Sequence, residues 1–209
     1  MPRPVTETAY GPWQPFEPDE TARVLAGLTV PWWIGGGFAI EAFVGRSFRP
    51  HGDVDVGLFR ADQLAMRRHL SRFDVQAADP PGTLRPWREG ETLPANVHDI
   101  WVRERPDGPW RFQLMIDERD GDDWVYRRDA RIRRSVPTIT WRRDGIAYLA
   151  PEIQLLYKSK GLRAKDRLDF ATALPLLDAR QREWLRASLT TVNPDHEWLA
   201  RMRVSARSE

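Results

Sequence analysis

The chain has 209 residues, 32 basic and 30 acidic side chains, a net charge of +2, and 41% hydrophobic and 11% aromatic residues. That length and apolar content suffice for a buried core and exclude a disordered polymer. The near-balanced charge gives no support to a protein that coats nucleic acid, and the absence of cysteine excludes disulfides and thiolate metal sites.

Residues 1 to 17 carry four prolines and no apolar period, so an irregular N-terminal arm is expected, with Trp13 and Phe16 able to pin it to the body. A short helix is predicted from Pro18 to about Leu28, because proline suits a first helical turn and Asp19 and Glu20 suit its positive end. "TVPWWIG" reads as a short buried strand that ends at Gly35, Gly36 and Gly37, and "FAIEAFVG" as a helix closed by Gly45. "DVDVGLF" alternates like a half-buried strand, with Val54 and Val56 inward, and "ADQLAMRRHLSRF" reads as an amphipathic helix with Leu64 and Leu70 inward. Residues 76 to 96 read as loop. "VHDIWVRE" and "WRFQLMIDE" alternate again and are joined by the hairpin signal "RPDGP", and "TITWRRDGIAYLA" reads as two short strands turning at Asp144 and Gly145. From Pro151 onward the pattern is helical, through "PEIQLLYKSKGL", "KDRLDFATALPLL" and "ARQREWLRASL". With no apolar run near about 18 residues and no signal-like start, a soluble cytoplasmic protein without membrane association is the expectation, and the oligomeric state stays open.

The glycine turn is open to two readings. A tight turn needing positive φ is the plain one; the other is a phosphate site in which small residues let backbone N–H groups and a helix start approach phosphate oxygens. A P-loop is excluded because no G-K-[ST] follows, and Ile40 stands where a dinucleotide fingerprint needs a small residue. Asp53 and Asp55 bear on the choice. On a strand they share one face, with Cα atoms roughly 6.5 Å apart, and such paired carboxylates are tolerated in open solvent or with a cation between them. Mg²⁺ takes such hard oxygen ligands and completes its shell with water and substrate phosphates. Between turn and aspartates lies a basic loop with Arg46, Arg49 and His51, so both halves of a nucleotide and metal site fall within 21 residues.

This arrangement, "IGGGFAIEAFVG" followed by "GDVDVGL", resembles the polymerase-beta-like nucleotidyltransferase superfamily, whose signature is G-G or G-S, a helix and then h-D-h-D-h. "GGGFAIEAFVGRSFRPHGDVDV" is most similar to the small bacterial nucleotidyltransferases that act on aminoglycosides and lincosamides, over about residues 30 to 60. The resemblance implies an α+β fold: a nucleotidyltransferase core of mixed sheet with flanking helices over residues 18 to 150, a helical C-terminal part over 151 to 209, and an active site in the cleft between them. It further implies Mg²⁺-dependent transfer of a nucleoside monophosphate, with AMP from ATP expected, to a hydroxyl of a small molecule such as an antibiotic. Asp53 and Asp55 would hold the metal, and Gly35, Gly36, Gly37, Arg49 and His51 would contact the nucleotide.

The family also places a third carboxylate on a later strand. Asp117 is the candidate, as a further metal ligand or the base that accepts the hydroxyl proton, with Glu118 and Asp99 as rivals. The only three lysines, Lys158, Lys160 and Lys165, cluster within eight residues, and Lys158 is taken as the triphosphate contact because it emerges from an apolar helix face. The acidic stretch "DERDGDD" could attract a cationic aminoglycoside or form a solvated turn. A protein-modifying nucleotidyltransferase of toxin–antitoxin type, or a catalytically silent nucleotide-binding module, would share these features.

Overall fold

A computed structural model of the chain describes residues 5 to 204. Ten strands form one mixed sheet. Along its main path the order is β4 (Leu84–Pro86), β3 (Asp74–Ala78), β5 (Asp99–Arg103), β6 (Trp110–Asp120), β2 (Asp55–Phe59), β1 (Trp32–Ile34), β10 (Ile146–Leu149) and β9 (Thr140–Arg143). Off this path, β7 (Asp123–Val125) pairs with β6 and with β8 (Arg133–Ser135). Pairs β1/β10 and β2/β6 are parallel; the other pairs are antiparallel.

The helices are α1 (Pro18–Val24), α2 (Gly36–Val44), α3 (Gln63–His69), α4 (Pro151–Ser159), α5 (Ala164–Ala173), α6 (Ala179–Val192) and α7 (Glu197–Val204). Helix α1 starts at Pro18 behind a capping box in which the Glu17 N–H donates to Glu20 Oε2 at 2.7 Å. Helix α2 ends at Gly45, whose φ of 84° continues the chain in a left-handed cap. The α2 helix packs on β2 and β10 and against α4 and α5, which brings the C-terminal helices onto the same side as the glycine turn. None of the helices among the described residues is long and apolar enough to cross a membrane.

The N-terminal arm is pinned as its aromatic residues suggest: Trp13 is 5% exposed, bridges to Trp110 and stands edge-on to Trp101, while Phe16 stacks on Phe112. The first four residues of the arm lie outside the described residues. Two sequence expectations are corrected. Residues 76 to 96 are not all loop, since β3 ends and β4 lies within them. Leu64 faces outward at 38% exposed, while Gln63, Met66 and Leu70 face the core. Six residues of helix turn through about 600°, so Leu64 and Leu70 cannot share one narrow face.

Candidate active site

Strand β1 ends at Ile34, and the chain turns through Gly35 to Gly37 into α2 directly beside the start of β2. The turn is built against an aspartate. At Gly36 φ is 63°, and a Cβ there would overlap Asp55 Oδ2. A Cβ on Gly37 would strike Arg49 and His51. Glycine at these two positions therefore permits close approach of the turn to β2 and to the basic loop.

Two of the three glycine N–H groups have protein acceptors. Gly35 donates to the Asp55 carbonyl at 2.8 Å, and Gly36 donates to the Gln154 side-chain oxygen on α4 at 2.7 Å. The turn is thus held rigid from both sides.

A cavity of about 260 Å³ opens in front of it. Gly35, Gly36, Gly37, Arg49, Asp53, Asp55, Asp117 and Lys158, eight of the nine residues singled out from the sequence, line it. His51 stands behind them: its imidazole bonds Glu41 at 2.8 Å and lies 4.3 Å from the Phe38 ring. Arg49 forms a two-pronged pair with Asp169 of α5 at 2.5 and 2.7 Å. Lys158 is 7% exposed, and its ammonium lies 2.7 Å from Asp169 and 3.5 Å from Asp166. Lys158 and Arg49 therefore share a buried carboxylate. Lys165 also lines the cavity and is in no ion pair among the described residues, while Lys160 lies outside it.

Burial, and then the neighbouring Asp53, push the Asp55 carboxyl up to about 7, with Lys158 opposing and Asp99 adding to the rise. Two carboxylates in that state suit a divalent cation, which would favour their charged forms. Among the described residues no group of three or more acidic or histidine side chains is placed to hold a metal ion, so the protein offers Asp53 and Asp55 as a pair. Mg²⁺ is commonly held by one or two carboxylates with water and phosphate completing its shell, and the pair fits that pattern.

The register of β6 bears on the third carboxylate. Asp55 lies opposite Gln113, whereas Asp117 lies opposite Phe59, four residues further along. At about 3.3 Å per residue this sets Asp117 about 13 Å beyond the point facing Asp55, outside any metal shell shared with the pair. Gln113 takes the facing position and donates to Asp99 at 2.5 Å. Asp99, raised by burial, is the β5 carboxyl whose field reaches Asp55. Glu118 is paired with Arg60 at 2.6 Å. Asp117 is 6% exposed and receives a hydrogen bond of 2.5 Å from Tyr157; burial pushes its carboxyl up to about 6 against that bond.

Sequence reasoning missed Gln113, Gln154, Tyr157 and Arg163. Three of the helical contributors were accessible to it: Gln154, Tyr157 and Lys158 fall at i, i+3 and i+4 and so share one face of α4. Arg163 carried no local signal, since it is one arginine among many, whereas Arg127 opens the basic run of residues 127 to 134, a stretch that could grip phosphates or form a solvated face.

Residues 20–173 match the model of the aminoglycoside-2''-adenylyltransferase family. A search of curated protein sequences finds no match. Among solved structures, the chain is similar to the lincomycin-bound lincosamide antibiotic adenylyltransferase LnuA, at 12% identity and TM-score 0.52, over 76% of this chain and 95% of that one. It is also similar to the antibiotic-resistance factor ANT(2'')-Ia in its solution structure, at 14% identity and TM-score 0.53, over 84% and 90%. At these identities the likeness is one of fold.

Proposed function

The chain belongs to the aminoglycoside-2''-adenylyltransferase family of nucleotidyltransferases, and from that premise we propose that it transfers the adenylyl group of ATP, with Mg²⁺, to a hydroxyl of a small molecule. The observation that carries the reading is the glycine turn packed directly on Asp55, across the cavity from the cations of α4 and α5. The triphosphate would lie between the start of α2 and Lys165, with Arg163 beside it. Arg163 is paired with Asp166 at 2.7 Å yet stands within the field of Asp53 and Asp55. Lys158 contributes from the floor as part of the buried Asp169 network.

Asp53 and Asp55 would hold Mg²⁺, which supplies Lewis-acid polarisation of the phosphate oxygens. The acceptor oxygen forms a bond to the α-phosphorus as the bond from that phosphorus to the bridging oxygen breaks, and pyrophosphate leaves. Because Gln113 faces Asp55 on β6 and an amide accepts no proton at neutral pH, the hydroxyl proton passes to a carboxylate of the site or to water. Asp117, whose carboxyl burial pushes up to about 6, would act on the body of the acceptor rather than at the phosphorus.

The test is pyrophosphate release with Mg²⁺, ATP and a panel of hydroxylated acceptors. Asp55→Asn is expected to abolish release while the protein keeps its circular dichroism spectrum and melting temperature. A folded Asp55→Asn protein that turns over at the wild-type rate would overturn the assignment.

A further inference from the structure

Asp55 and Gly57 share the cavity face of β2, and across the sheet Gly57 pairs with Trp33 of β1 on one side and Met115 of β6 on the other. Because residue 57 has no side chain, the Trp33 indole crosses over β2: a Cβ on Gly57 would overlap its Nε1 and Cε2 atoms. An edge-on contact with Phe59, ring centres 5.1 Å apart, holds the indole there. Trp33, Gly57 and Met115 all line the cavity.

The Trp33 N–H makes no hydrogen bond among the described residues. The N–H groups of Trp141 and Trp198 are also unbonded, but they are sealed from solvent, whereas the Trp33 N–H is not. A neutral donor is thus carried from β1 to the middle of the cavity, over a residue about 6.5 Å beyond Asp55 along the strand.

The geometry of transfer decides which substrate meets that donor. Strand β1 runs antiparallel to β2, so the chain passes from Gly57 to Asp55 and enters α2 on the Asp53 side. The glycine turn, Arg163 and Lys165 gather around Asp53 and Asp55, which sets the departing pyrophosphate at that end. An in-line displacement brings the attacking oxygen in from the opposite end, the side of Gly57, Met115 and Trp33.

Resting on the adenylyl-transfer reading above, we propose that Trp33, admitted by Gly57, binds and orients the acceptor by donating its N–H to an oxygen beside the attacking hydroxyl. The acceptor class that fits is a sugar or cyclitol ring whose reactive hydroxyl is flanked by a second hydroxyl or an acetal oxygen. An ammonium group carries only donors and cannot accept from an indole, so amino groups of such a ring turn toward the carboxylates of the cavity instead.

The experiment uses the full chain with Mg²⁺, ATP or a non-hydrolysable ATP analogue, and tobramycin, lincomycin or glucose as acceptor. Pyrophosphate release gives the KM for each substrate, and the indole N–H resonance of Trp33 in the wild-type protein reports its hydrogen bond by NMR. That resonance is expected to hold its place when the analogue binds and to move downfield when an acceptor joins it. Trp33→Phe keeps a ring over Gly57 without the donor. It is expected to raise the KM for the acceptor about tenfold, equivalent to about 1.4 kcal/mol, with the KM for ATP unchanged. A resonance that moves fully with the analogue alone, with a changed KM for ATP in Trp33→Phe, assigns the indole to the nucleotide and overturns the proposal. A resonance that ignores the acceptor, with an unchanged acceptor KM in a folded Trp33→Phe protein, overturns it and leaves adenylyl transfer standing. If Trp33→Phe does not fold, the wild-type resonance decides alone. Release with none of the three acceptors, while the analogue binds, overturns the adenylyl-transfer reading and the proposal together.

Discussion

At Gly36 two demands meet in one residue: φ is 63°, and a side chain would run into the Asp55 carboxylate. Gly27 separates them, because its φ is 82° and nothing lies within 4 Å of where its Cβ would be. Gly27→Ala is expected to lose about 1 kcal/mol of stability through backbone strain alone, with turnover unchanged. Gly36→Ala is expected to lose more than that and to lose activity as well, because the turn must move off Asp55 to admit the methyl group. Urea denaturation and pyrophosphate release on both variants check this. Equal stability losses and equal turnover would mean that the contact with Asp55 does not constrain the site.

Helices α4 and α5 meet through Asp169, a fully buried carboxylate that accepts from both Arg49 and Lys158. Removing it leaves two cations in a poorly solvated place, so Asp169→Ala is expected to cost about 3–5 kcal/mol in urea denaturation. Lys165→Ala, by contrast, removes a cation that no carboxylate among the described residues holds. It should weaken triphosphate affinity at least tenfold, about 1.4 kcal/mol, with the melting temperature of the free protein unchanged. Normal triphosphate binding by a folded Lys165→Ala protein would remove that lysine from the nucleotide site. The difference between these lysines lay beyond the sequence. Lys158, Lys160 and Lys165 differ in what they face only once Asp166 and Asp169 are brought beneath Lys158 by the packing of α5. The turn and its aspartates were legible because they are local: ψ, φ and strand alternation over residues 34 to 56 are decided by neighbours in the chain. The partner across the sheet was not, since whether Gln113 or Asp117 stands beside Asp55 depends on the β2/β6 register. Strands β3, β4, β7 and β8 were missed for a related reason. The last three have three residues each, too few for alternation to show, and all four take their hydrogen bonds from partners that sequence cannot align.

On the scale of the whole molecule, one hydrogen bond joins parts of the chain 118 residues apart: the Gln154 amide oxygen on the Gly36 N–H. The glycine turn is made by the first third of the sequence, yet its fastening comes from the first helix after the last strand. The sequence boundary near residue 150, where strands give way to helices, is therefore a poor place to divide the protein. A gene split between Leu149 and Ala150 would yield an N-terminal half whose turn lacks its fastening and whose core beneath α4 and α5 is uncovered. Neither half is expected to bind a triphosphate when purified alone. Mixed, they are expected to reassemble and regain binding, in the manner of a reporter reconstituted from fragments. The same arrangement makes ligand occupancy visible at a distance, since a nucleotide that tightens the turn also tightens its hold on the α4 helix and should slow exchange between free and assembled halves.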